Sequence, residues 1–275
     1  MNMNYRILST YVFLLGFFAF LGFAYFNYSK SPSVEKLNTE KFRENESALE
    51  ETIIKVIKDN PEAIIKSLEN YQMKKMQEAI AESGKKIKTH LAELENNSDD
   101  PRVGMKNAKV KVIEFFDYNC GYCKHTSNIK SKIIEQNPDI EYVFKELPIL
   151  GESSVLAARY ALAVNIVDKS KYLAFHLAVL NDKGKKDEEA LLSLAGKVGV
   201  NIPNLKKALT DNKINEIIQA NQNLARTVGI GGTPTFIIAG ELMNELGYES
   251  LVAKINEAKA KAEQPNKVTP STDSK

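Results

Sequence analysis

Val110-Lys111-Val112-Ile113-Glu114-Phe115-Phe116-Asp117-Tyr118-Asn119-Cys120-Gly121-Tyr122-Cys123 is the stretch whose reading decides the fold. An apolar, β-branched and aromatic run ends just before two cysteines separated by two residues. A helical pattern begins at the first of them. A strand followed by a CxxC at a helix start is the layout of a redox site. Two thiols so placed close a small disulfide and open it again. The change is worth two electrons, so the pair passes oxidising equivalents to another protein. Cys120 and Cys123 are the only cysteines in 275 residues, which excludes a structural disulfide framework.

Position assigns roles to the two sulfurs. Free backbone N–H groups and the positive end of the dipole at a helix start favour an anion on Cys120, making it the attacking thiol. Cys123, one turn further in, is the resolving thiol. Gly121 and Tyr122 between them face the substrate. A structural zinc site takes four ligands, and the chain has no second CxxC. Haem attachment needs His after the second Cys, and Lys124 stands there. No metal or other cofactor is expected. His125 reads as an exposed helix residue.

Two distant stretches join this site. Gly231-Gly232-Thr233-Pro234-Thr235 precedes the strand Phe236–Ala239. Proline is allowed at a strand's first residue. A cis Thr233–Pro234 bond presents the Thr233 backbone to an extended peptide; an ordinary trans loop is the alternative. Glu114 alternates with Ile113 and Phe115, sharing its strand face with residues 112 and 116. A carboxyl there accepts and returns the proton of Cys123. The alternative is a glutamate on a solvated face.

Around these motifs the chain falls into segments. Arg6 precedes an apolar stretch over residues 7–26 that reads as an export signal, with Gly22-Phe23-Ala24 offering cleavage after residue 24. An uncleaved membrane anchor is the alternative. Residues 25–46 read as a linker. Residues 47–100 are helical, broken at Asp59-Asn60-Pro61-Glu62, where Asn60 suits an N-cap and Pro61 a first helical position. Met73, Ile80, Ile87 and Leu94 recur every seven residues as half of a coiled-coil seam. That seam suggests a homo-oligomer through residues 47–95, or a helix packed on its own domain. From residue 101 to 263 the order is strand, helix, strand, a helical block over 152–229, then two strands and a helix. Residues 264–275 read as a disordered tail. The net charge of +2 and the absence of a basic cluster interleaved with aromatics argue against nucleic-acid binding.

The fold class is therefore α/β with an inserted helical domain and an N-terminal helical segment. In residues 114–123, 145–151, 154–159 and 228–236 the chain resembles the DsbA family of exported thiol-disulfide oxidoreductases. Residues 48–77 are similar to the N-terminal region of its suppressor-of-copper-sensitivity branch. The resemblance implies a thioredoxin fold, a cis bond at Pro234, a site tuned by Glu114 and a periplasmic location. It implies reduced or misoxidised exported proteins as clients, and a membrane redox partner that resets the pair. Gly121-Tyr122 departs from the Pro-His of the strongest oxidants and, with Thr233, looks more like the disulfide isomerases. Three readings follow: an enzyme that promotes disulfide formation, an oligomeric isomerase or reductase, and a membrane-held binding protein without activity.

Overall fold

The computed structural model describes residues 19–26 and 34–263. The expected tail at 264–275 and most of the expected export signal lie outside the described residues. Residues 19–26 are helical and exposed, and among the described residues no helix is long and apolar enough to cross a membrane. The chain divides into two compact units, residues 1–73 and 74–275.

Helix α1 (Val34–Asp59) and the start of helix α2 (Pro61–Thr89) follow the helical residues 19–26 in the first unit. Helix α1 takes in residues 34–46, which the sequence reading assigned to a linker. The Glu, Lys, Leu and Arg content of that stretch favours helix without an apolar stripe. The break falls at Asn60 as expected, but the Asn60 side chain does not cap α2. Its Nδ2 donates to the Val56 carbonyl at 2.8 Å instead. Leu49, Ile53, Ile54, Ile57, Ile64 and Leu68 are all exposed.

The second unit begins within α2 and continues through α3 (Leu91–Asn96) into a five-stranded sheet. The strands are β1 (Arg102–Gly104), β2 (Lys111–Phe116), β3 (Glu141–Glu146), β4 (Thr235–Ile238) and β5 (Glu241–Leu242), in the order β1-β3-β2-β4-β5. Only the β2–β3 pair is parallel. Its crossover holds α4 (Gly121–His125) and α5 (Ser127–Gln136), as a parallel pair requires. Ala239 and Gly240, with φ of 49° and 78°, form the two-residue turn between β4 and β5. Strand β1 was not foreseen; a three-residue edge strand has too few positions to show a period.

Five helices fill the insertion: α6 (Glu152–Val167), α7 (Tyr172–Asn181), α8 (Glu188–Lys197), α9 (Ile202–Ala208) and α10 (Lys213–Val228). Their breaks match the Asp, Asn, Gly and Pro clusters in the sequence. Asp187 and Asn201 cap α8 and α9 through backbone N–H groups at 3.0 and 2.9 Å. Helix α11 (Tyr248–Glu263) closes the chain.

Alternation along β2 divides the core. Val112 and Phe116 face one apolar cluster with the inserted helices; Ile113 and Phe115 face another. The second cluster contains Ile87 and Leu94, both fully buried. Half of the predicted seam therefore packs on its own domain. Ser83 also sits against Gly229, where a Cβ would lie 2.5 Å from Ser83 Oγ. Gly229 ends α10 in the left-handed conformation at φ 79°, which favours glycine. The compact unit consequently starts near Lys74 and not at residue 101, because the sheet takes its cover from α2 and α3.

Candidate redox site

Strand β2 delivers the site. After Phe116, Asp117 turns the chain. Its Oδ1 accepts from the Asn119 backbone N–H and the Ser154 hydroxyl, both at 2.7 Å. Its Oδ2 accepts from the backbone N–H groups of Ile149 and Leu150 at 2.8 and 3.0 Å. One buried carboxylate thus ties the CxxC loop to the loop after β3 and to the start of α6. The sequence reading gave Asp117 no role, although an Asp two residues before a turn residue is a signal for such bonding.

Cys120 is the N-cap of α4, and its backbone N–H donates to the Asp117 carbonyl at 3.2 Å. Its side chain retains 7% of its exposure, whereas Cys123 retains none. The helical pattern that begins at Cys120 breaks at Thr126, so the helix behind Cys120 is only five residues long. The Thr233–Pro234 bond is cis, and the Cys120 thiol donates to the Thr233 carbonyl at 3.1 Å. Residues 113 positions apart meet here. Beside them Pro148, Ile149, Gln222, Arg226 and Gly231 line a groove, and Tyr122 is exposed. His125 is exposed as well.

Cys123 faces the opposite environment. Burial, and then the nearby charge of Glu114, push its thiol far above the ordinary cysteine value. Glu114 is fully buried on the face shared with Val112 and Phe116. Lys130 Nζ lies 2.9 Å from its Oε1 and 2.8 Å from its Oε2, and the Tyr142 hydroxyl donates to Oε2 at 2.6 Å. A buried carboxylate needs such partners, since an isolated charge in an apolar interior is very costly. Lys130 escaped the sequence reading, yet it shares an α5 face with Ile133 and Ile134. A lysine on an apolar face marks a buried partner. His176 is similarly marked, lying in the apolar run Tyr172-Leu173-Ala174-Phe175-His176-Leu177. Among the described residues no three His, Cys, Asp or Glu side chains are grouped to hold a metal ion.

This arrangement can exchange disulfides. One sulfur keeps a small exposure beside the half-buried Thr233 backbone, and its partner is sealed next to a carboxylate.

The chain's relatives share this chemistry. The thioredoxin family profile matches residues 95–257. A Rickettsia bellii protein named as a protein-disulfide oxidoreductase is 28% identical over 209 residues, 70% of this chain and 76% of the relative. The crystal structure of the thiol-disulfide exchange protein alpha-DsbA2 from Wolbachia pipientis is 34% identical, with a TM-score of 0.61 over 64% of this chain and 95% of that one. A linker-deletion mutant of Proteus mirabilis ScsC is 29% identical, with a TM-score of 0.60 over 78% of this chain and 95% of the other. These likenesses set aside the reading of a binding protein without activity. A matched span that includes β2, the CxxC and the Thr233–Pro234 loop, together with neighbours built on the same sheet, establishes that the chain belongs to the thioredoxin family as a DsbA-like thiol-disulfide oxidoreductase.

Proposed function

We propose that this enzyme promotes disulfide formation in exported proteins, with Cys120 as the attacking sulfur and Cys123 as the resolving one. The observation that carries this reading is the asymmetry of the pair. Cys120 keeps a small exposure beside the Thr233 carbonyl, and Cys123 is fully enclosed beside Glu114. Glu114 accepts and returns the Cys123 proton. Thr233, Pro234, Gly121 and Tyr122 form the platform on which an extended client segment lies, the backbone of Thr233 supplying strand-like hydrogen bonds. The clients are reduced or misoxidised proteins outside the cytoplasm, where disulfides persist. Residues 7–26 direct export, into the periplasm for the mature chain, and a membrane redox partner resets the pair.

Equilibration of the purified chain with glutathione buffers tests the direction of the reaction. A pair that oxidises glutathione supports disulfide formation. A strongly reducing pair turns the reading to isomerisation or reduction.

A second reading, an oligomeric isomerase, is favoured by the exposed stripe of Leu49, Ile53, Ile54 and Ile57 on α1. A helix that leaves such a stripe in water gains by burying it against a second copy. An isomerase gains from several active sites holding one misfolded client. Sedimentation of residues 25–275 against residues 74–275 tests it; truncation at 101 would strip Ile87 and Leu94 from the core. Two monomers at micromolar concentration would defeat the oligomer and remove the main support for isomerisation.

A further inference from the structure

Beyond Glu114 and Lys130, a line of buried polar side chains runs on between the sheet and the inserted helices. Lys130 Nζ lies 3.1 Å from His176 Nε2, and His176 Nδ1 lies 3.0 Å from the Tyr118 hydroxyl. Tyr118 donates to Glu146 Oε1 at 3.2 Å, and Tyr172 donates to the same oxygen at 3.2 Å. Glu146 Oε2 meets no hydrogen-bond partner among the described residues. All of these side chains are buried. Phe116, Phe144 and Tyr172 pack their rings on the imidazole and hold it in line.

Hydrogen-bond capacity gives this line two self-consistent settings. An ammonium on Lys130 has only donors. His176 then accepts at Nε2, donates from Nδ1 to Tyr118, and Tyr118 donates to a Glu146 carboxylate. With an amine on Lys130 every bond reverses. A Glu146 carboxyl donates to Tyr118, Tyr118 to Nδ1, and Nε2–H to the amine. The two settings contain the same number of protons and differ by the transfer of one proton between Lys130 and Glu146.

We propose that Glu146 is the proton store of the redox pair, exchanging a proton with Cys123 through Tyr118, His176, Lys130 and Glu114. The proposal rests on the reading of Glu114 as the group that passes a proton to and from Cys123. When a client thiolate attacks Cys120 Sγ, the Cys120–Cys123 bond breaks and a client–Cys120 disulfide forms. Cys123 leaves with the electron pair as a thiolate. In the oxidised chain Lys130 is an ammonium and Glu146 a carboxyl; Lys130 gives a proton through Glu114 to that sulfur, which leaves the second setting, and regains one from Glu146 through Tyr118 and His176, which leaves the first. In the reverse step Cys123 attacks Cys120 Sγ, the client leaves as a thiolate, and the Cys123 proton returns along the same line. Tyr118, His176 and Glu146 are positioning residues in this scheme, since none touches the reacting sulfurs.

The surroundings suit a store. Burial holds the Glu146 carboxyl far above the ordinary carboxylate range; the Asp117 charge adds to this, and Tyr118, Tyr172 and Lys130 oppose it. Burial and the Lys130 charge hold His176 neutral, the form that accepts at one nitrogen and donates at the other.

The test is the pH profile of the rate at which dithiothreitol reduces the oxidised full chain. Tyr118→Phe keeps the ring and cuts the line; Glu146→Gln keeps the shape and removes the proton. Each variant is expected to slow reduction about tenfold near neutral pH, less than the ~10²–10⁴-fold of a directly acting acid or base. Both should change the profile in the same way, and the double variant should be no slower than either alone. Rate losses that multiply in the double variant, or an unchanged profile in both single variants, would overturn the store. If Glu114→Gln still alters the profile in that case, only the store fails. If it does not, the role of Glu114 fails with it.

Discussion

The two sulfurs stand three residues apart in the chain and in opposite environments. The surroundings of Cys120 are backbone: the start of α4, the Asp117 carbonyl and the Thr233 carbonyl. The surroundings of Cys123 are side chains, with Glu114, Lys130 and Tyr142 bonded to one another beside it. A backbone rim accepts many partners because every protein offers the same groups to pair with it. A side-chain chamber fixes charge and protons, and it functions only when each member is present. The difference teaches that client breadth and redox chemistry are built from different parts of one loop.

The largest effect separates the sulfurs themselves. Cys120→Ser is expected to abolish disulfide exchange, while Cys123→Ser leaves a long-lived mixed disulfide between Cys120 and the client. Non-reducing electrophoresis with a reduced client shows which variant is trapped. Trapping through Cys123 would invert the comparison.

The chamber comes next. Lys130→Met leaves Glu114 buried without its cation, and breaking a buried pair costs about 3–5 kcal/mol. Denaturant unfolding should show that loss, and Glu114→Gln in the same chain should recover part of it. The exposed pair Lys75–Glu78 at 2.9 Å is the control, since surface pairs contribute about 0–1 kcal/mol.

A smaller effect appears in the pH dependence of stability. Burial lowers the His176 value in the folded chain, so the unfolded chain binds the extra proton below about pH 6.5. Stability then falls as the pH drops through that range, by up to ~1.4 kcal/mol per pH unit for one proton. Glu146 has the opposite sign. Its folded value is raised, so its contribution is complete below about pH 4.3 and is lost as the pH rises toward the folded value. Glu146→Gln should therefore flatten the decline on the alkaline side and His176→Gln the decline on the acid side. Unfolding midpoints across pH measure both, and unchanged slopes would remove these groups from the account.

The smallest change lies on the rim. Tyr122→Ala removes an exposed side chain, so stability should stay within about 0.5 kcal/mol. Client turnover should shift by a few-fold with a small-molecule disulfide unaffected. A loss of several kcal/mol would place Tyr122 in the packing and blur the contrast between rim and chamber.

Much of this was legible in the chain. The strand, the CxxC, the five insertion helices and the final hairpin all carry local signals: period, caps, turn residues. Half of the heptad pattern misled, because a repeat of Met73, Ile80, Ile87 and Leu94 is the same whether its partner is another helix or a sheet. Ile87 and Leu94 went to the sheet. Asn60 was read as a cap from its place before proline, but its amide found a nearer acceptor at Val56.

By itself, then, the sequence determined the redox pair, the strand that carries it, the alternation that set Glu114 apart from Ile113 and Phe115, and the limits of the inserted helices. Each of these depends on neighbours within a few residues. Only the tertiary structure decided that Thr233 meets Cys120, that Lys130 pairs with Glu114, and that His176 and Tyr118 continue the line to Glu146. These contacts join residues 16 to 113 positions apart. A lysine or a histidine in an apolar run shows that a partner must exist, because a buried polar group left unpaired is costly. Which partner it finds depends on how the sheet and the helices pack, and that is settled by the whole core at once.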